Sequence, residues 1–368
     1  MADKEEVILP FYARTSISLL GLFGLFTILY ITKGIILPLI FASIIAIVLH
    51  PVVKFFVGLR IKKSFSIAIT LIITGIVFAA FCGLLYSQAI RFSESWPFLV
   101  DKFTVILHES ITWASTYFNI DPQNIQDWII RTRSELININ SALIGKTLLT
   151  LGNGLVLLII IPIYIFMLLY YQPLLFEFIH RLFSKSNQKQ VSEIISQVKT
   201  VIQHYLKGLI IEFIIVATLY SIALLTLGIE YAIVLGIIGG LLNVIPYLGA
   251  FMAASFSMVV ALVTKSTAWY AVYILACYYV VHLIDYNYII PKIVSSKVKI
   301  NALISLIGLI ASFAMWGIPG MIIYIPVIGI VKLIFDHIEP LKPWGFLLGD
   351  TMPPDIKPVR KKNKSTKQ

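Results

Sequence analysis

Three ionisable side chains, Glu212, His282 and Asp285, stand inside long apolar stretches of this sequence. Charge placed in hydrocarbon is costly, so such residues mark candidate routes for protons, ions or polar solutes. Glu212 falls about one turn into its apolar run. His282 and Asp285 share an i, i+3 spacing, which puts them on one helical face near the end of theirs. Brought beside Glu212, they would form a proton relay or a cation site. The plainer reading keeps all three within reach of interfacial water, with Asp285 capping a helix end. Lys332 and Asp336, at i, i+4, read as an interfacial ion pair.

A second set of polar groups interrupts apolar runs. "GGLLNVIPYLGAF", Gly239–Phe251, carries Asn243, Pro246, Tyr247 and Gly249 where a membrane helix favours leucine. "WGIPG", Trp316–Gly320, places Gly317, Pro319 and Gly320 in the same way. Proline removes an amide donor, and glycine lets two backbones approach closely. Non-helical backbone at membrane depth is tolerated only where protein buries it or water reaches it. Asn243, Tyr247, Asn287 and the freed backbone could therefore hydrogen-bond a neutral polar solute. A monovalent cation would instead use Glu212, Asp285 and exposed carbonyls. A packing reading competes, in which Gly236 and Gly240 form a small-xxx-small helix contact.

Other chemistries find no support in the residue pattern. HExxH, GxSxG, P-loop and full GxGxxG motifs are missing, and no two of the six histidines are four apart. The expectation is a protein that is not an enzyme, with no metal and no cofactor.

The elements that must position these groups follow from composition. Hydrophobic residues make up 59% of the 368 positions and charged residues only 13%, with a mean hydropathy of +0.92. A soluble domain is roughly a quarter charged, so this chain is expected to be an all-α polytopic membrane protein. The net charge of +11 does not point to nucleic acid, because the basic residues collect in short loops and in the tail "KPVRKKNKSTKQ". That placement predicts cytoplasmic flanks, with both termini inside and the tail drawn to anionic lipid headgroups.

Spans are expected at about 16–32, 35–49 and 65–86, a three-span N-terminal bundle within 1–86. Extracytoplasmic amphipathic helices should occupy 87–146, and a fourth span 147–171. A cytoplasmic amphipathic region, 172–207, carries an apolar seam through Val191, Ile195, Val198, Ile202 and Tyr205. That seam could pair with another subunit or lie on the membrane. The core, 208–340, contains a fifth span, the broken stretch 231–264, a sixth span 268–285 and the broken stretch 301–335. The basic tail, 341–368, follows. Each half of a broken stretch is short of a full crossing, so two re-entrant hairpins are expected beside six full spans. Span plus hairpin, repeated with opposite orientation, has the form of an inverted repeat, and in transporters such breaks point to the substrate site.

"NVIPYLG" (Asn243–Gly249), "DYNYIIPKIV" (Asp285–Val294) and "WGIPGMIIYIP" (Trp316–Pro326), in this order, resemble the AI-2E family of bacterial permeases. The match is firmest from about Ile202 onward. The resemblance implies a multi-pass protein of the bacterial inner membrane that exports a small polar solute such as autoinducer-2. It equally admits a sodium(lithium)/proton antiporter, and a non-transporting scaffold or channel stands as a further alternative. It implies a homo-oligomer, with a pentamer as the candidate form. It also assigns structural roles to Gly208, Pro291, Pro319 and Pro326. Ala250, Ser295 and Ala302 depart from the usual family residues.

Overall fold

The computed structural model describes residues 10–118, 158–246, 248–265, 267–294 and 300–350. Tyr247, the distal half of the 87–146 segment and the basic tail from 351 onward lie outside the described residues. Among the described residues the backbone is helical, apart from turns and one isolated bridge between Ile300 and Gly349. This is what a lipid solvent demands, because a helix satisfies its own amides and carbonyls.

The N-terminal part comprises α1 (Phe11–Ile31), α2 (Lys33–Gly58), α3 (Lys63–Phe118) and α4 (Leu158–Tyr170). Ala42 and Ala46 of α2, Ile67 of α3 and Ile165 and Leu169 of α4 form one buried cluster. The alanines let the backbones approach. α1 stands apart, its spanning stretch unburied by the rest of the chain. A third span followed by separate helices was the expectation; instead α3 runs unbroken for 56 residues, about 84 Å. The first half of the 87–146 segment is thus a continuation of that span.

α4 bends by 63° into α5 (Gln172–Leu182), where Pro173 sits in the first turn and needs no amide partner. α6 (Gln188–Thr226) is a single helix of 39 residues, so the amphipathic region and the fifth span are one rod. Part of its seam is covered within the chain. Ile202, with Val198, packs in a cluster with Ile44 of α2 and Ile323 further on.

The core continues with α7 (Ala232–Asn243), α8 (Gly249–Thr264) and α9 (Trp269–Ile284), which runs into a π-helical turn, Asp285–Val294. Then come α10 (Ala302–Trp316), α11 (Ile318–His337) and α12 (Lys342–Leu348). Both expected breaks are present, after Asn243 and at Gly317. α7 has 12 residues, about 18 Å, well short of a ~30 Å hydrocarbon core. α8 and α10 are also short apolar helices. α11 departs from expectation: its helix continues past the apolar run to His337, and its 20 residues are long enough to cross.

Each broken pair returns on itself. A side chain at Gly228, before α7, would meet Lys265 Nζ at 3.4 Å, just beyond α8. The Asn301 amide, before α10, donates to the Leu348 carbonyl at the end of α12 at 2.9 Å. Among the described residues, six helices are long and apolar enough to span a membrane, or seven if bent α4–α5 counts as one. The all-α polytopic class read from composition is the class observed.

Candidate functional site

The site begins with a stripe on α6. Ile202, Tyr205, Gly208, Glu212, Val216 and Tyr220 are buried at helical spacing, so Glu212 faces inward with its apolar neighbours. Its residue exposure is only 6%. α7 lies close along this stripe because its facing residues lack side chains. A Cβ at Gly240 would come 2.8 Å from Ala217 Cβ, and one at Gly236 would come 2.6 Å from the Ser221 amide nitrogen. The small-residue contact read from the sequence is therefore real. It also has a consequence for the site, since it carries the end of α7 up to Glu212.

That end is Asn243, the last residue of α7. Its Nδ2 donates to Glu212 Oε1 at 3.2 Å and to Asp285 Oδ2 at 2.9 Å. One amide thus uses both its hydrogens to bridge two carboxylates from two other helices. Gly249 fixes the bridge. A side chain there would overlap the Leu242 carbonyl and crowd Asn243 Cα, so only glycine allows α8 to start against the end of α7. Between them, Ile245 N donates to Leu242 O at 2.9 Å and Gly249 N to Ile245 O at 3.0 Å. These bonds satisfy groups that the break frees. Pro246 contributes its carbonyl to the Leu248 amide at 2.8 Å.

Asp285 is 2% exposed. Its Oδ1 is buried and has no hydrogen-bond partner among the described residues. It stands where α9 widens into the π turn, a feature frequent at functional sites. Pro291 lies within that turn; it lacks a donor and its ring crowds the carbonyl four residues back, which a wider register accommodates. Behind the bridge, Tyr220 stacks on Tyr278 with ring centroids 4.0 Å apart, and Ser257 Oγ and Tyr278 Oη share a hydrogen bond of 2.7 Å. This layer joins α6, α8 and α9.

Of the residues read from sequence, Glu212, Asn243 and Asp285 come together. His282 does not join them; it is exposed on α9, its ring centroid 6.4 Å from that of Tyr286. Asn287 is also exposed, and its amide folds back to the Leu283 carbonyl at 2.8 Å. Gly317 and Gly320 lie in the second break. Gly317 has φ 66° and ψ −152°, a conformation essentially confined to glycine, and Gly320 packs on the Ser312 carbonyl. Trp316 donates from Nε1 to the Leu29 carbonyl of α1 at 3.2 Å. Pro319 opens α11 and Pro326 is buried within it. The two breaks approach at one point, where Ile245 packs against Leu309, Met321 and Tyr324. Lys332 and Asp336 form the expected pair at 2.5 Å. Sequence reasoning missed Tyr220, Ser257 and Tyr278; only the continuation of the α6 stripe to Tyr220 could have signalled one of them.

Long apolar helices with two broken pairs make this a helical, multi-pass membrane protein. The chain matches the family described as AI-2E family transporter over residues 19–339, and it belongs to that family. It is similar to "Putative transport protein YrrI" of Bacillus subtilis, with 24% identity over 312 residues, 83% of this chain and 87% of the relative. "Putative permease PerM" of Escherichia coli is 23% identical over 319 residues, 84% of this chain and 89% of the relative. "Putative transport protein YhhT" of the same organism is 22% identical, with 88% and 91% covered.

Proposed function

We propose that this transporter moves a small polar solute, of the kind represented by autoinducer-2, outward across the bacterial inner membrane. In this reading the Glu212–Asn243–Asp285 bridge carries the coupling proton. The supporting observation is the bridge itself: two buried carboxylates share one neutral amide, and one carboxylate oxygen has no partner among the described residues. Two buried negative charges side by side need a compensating proton or cation, and taking up or losing it changes what the amide can hold. A solute entering beside this cluster would compete for the Asn243 amide and for the backbone bonds that close the break.

The first broken pair is a re-entrant hairpin in this account. The shortness of α7 supports this, as does the adjacency of Gly228 and Lys265. The basic loops support a topology with both termini in the cytoplasm. A second reading, sodium(lithium)/proton antiport, draws on the same unpartnered oxygen, because hard cations take oxygen ligands.

Proteoliposomes separate the two readings. Solute export predicts autoinducer-2 flux that responds to a pH gradient and does not require sodium or lithium. Antiport predicts proton movement on adding sodium or lithium with no solute present. In either case Asp285→Asn stops the flux, and undiminished flux in that variant removes the bridge from the mechanism.

A further inference from the structure

A second chamber, remote from the carboxylate bridge, is unexplained by transport. It has a volume of about 730 Å³ and lies between α2, α4, α5, α6 and α11. That is the size of a small-molecule site. Leu169, Phe176, Ile179, Ile195 and Ile334 give it an apolar lining. α5 forms one wall; it is amphipathic, and none of its residues is buried by the rest of the chain. An apolar wall left this open in a membrane protein is expected to be covered by hydrocarbon.

The wall formed by α2 and α6 is different. His50 and Lys199 both line the chamber, and Lys199 Nζ lies 3.0 Å from His50 Nδ1. The charges of Lys54 and Lys63 also act on His50. Lys63 donates to the Tyr170 carbonyl at 2.9 Å. Among the described residues, no carboxylate forms an ion pair with Lys54, Lys63 or Lys199. Glu339, which also lines the chamber, is already held by Lys342 at 2.5 Å. His50 and Lys199 therefore form a polar corner of the apolar chamber, with Lys54 and Lys63 near enough to act on His50, and no carboxylate among the described residues pairs with these lysines.

We propose that the chamber binds an anionic phospholipid, its phosphate at His50 and Lys199 and its acyl chain along α5 and α6. Charge complementarity selects an anion, and the lining selects one that carries hydrocarbon. Lys54, Arg60, Lys62 and Lys63, around the α2–α3 connection, favour the cytoplasmic side for this end of the chamber, where anionic lipid is available. The protein's own tail is a poor occupant: "KPVRKKNKSTKQ" is basic and would be repelled by the same lysines. This inference does not depend on which solute or ion the protein transports.

Native mass spectrometry of the full-length protein, delipidated in neutral detergent, tests it. Dioleoyl phosphatidylglycerol should bind at least tenfold more tightly than dioleoyl phosphatidylcholine. The double variant His50→Gln/Lys199→Gln should lose that preference. Ile195→Trp, which fills the apolar part, should weaken both lipids. Glycerol 3-phosphate at millimolar concentration should not displace the bound lipid. Equal affinity for the two lipids in the wild-type protein overturns the proposal, as does full retention of the preference in the double variant. Displacement by glycerol 3-phosphate would make this a soluble-phosphate site instead. A disulfide formed between two copies of an Ile195→Cys chain, with no lipid bound, would assign the chamber to a second subunit. Circular dichroism and thermal melting confirm that each variant is folded, and the charge variants decide the matter if Ile195→Trp is not.

Discussion

The two broken helix pairs share a design and differ in chemistry. The α7–α8 break ends on Asn243, whose amide holds carboxylates from α6 and α9. The α10–α11 break ends on Trp316, whose indole is tied to a carbonyl of α1. Glycine serves both, but differently. At Gly249 the requirement is space, because any side chain meets the end of α7; at Gly317 it is backbone conformation. The comparison teaches that a break in a membrane helix is not by itself a site. The first break delivers a polar side chain to two buried carboxylates, and the second ties its tryptophan to a backbone carbonyl instead. The second break positions α11, whose Met321 and Tyr324 brace Ile245 of the first.

The sharpest way to break this contrast is Gly249→Val. Its side chain should separate α7 from α8, cost about 3 kcal/mol, and eliminate flux in proteoliposomes. Thermal unfolding in detergent would reveal the loss. Next in size are Glu212→Gln and Asp285→Asn, which should each stop flux while leaving the melting temperature near wild type. Gly317→Ala tests the other break. It should destabilise the protein by about 1–3 kcal/mol through its backbone, while flux per folded molecule persists. Tyr278→Phe removes the bond to Ser257 and should cost about 1 kcal/mol. Asn287→Ala should change neither property, staying within about 0.5 kcal/mol, since its amide only returns to its own helix.

Much of this was legible because the bilayer narrows the choices. A run such as Ile210–Leu225 has one satisfactory conformation in lipid, and glycines and prolines inside such runs locate the breaks to within a residue or two. Glu212, Asn243 and Asp285 stood out for the same reason: each is an expensive residue in an apolar context. What the sequence hid was direction. The i, i+3 spacing put His282 on the face of Asp285, yet His282 is exposed while Asp285 turns inward at the start of the π turn. Asn287 looked like a solute ligand because nothing local revealed its bond to Leu283. The seam on α6 has the spacing of a subunit contact, and only the fold shows that α2 and α11 already cover Val198 and Ile202. Long helices were divided too early, since α3 and α6 continue through the places where hydropathy falls.

The most direct test of the account asks whether water reaches the bridge. With Cys82 and Cys277 replaced by serine, single cysteines at position 243 and at position 316 would be exposed to a membrane-impermeant maleimide. Vesicles of both orientations would be used. The account predicts labelling at 243 from at least one side, slowed by the transported species, and protection at 316 from both sides. Protection of 243 in both orientations, with normal flux in the parent protein, would contradict it.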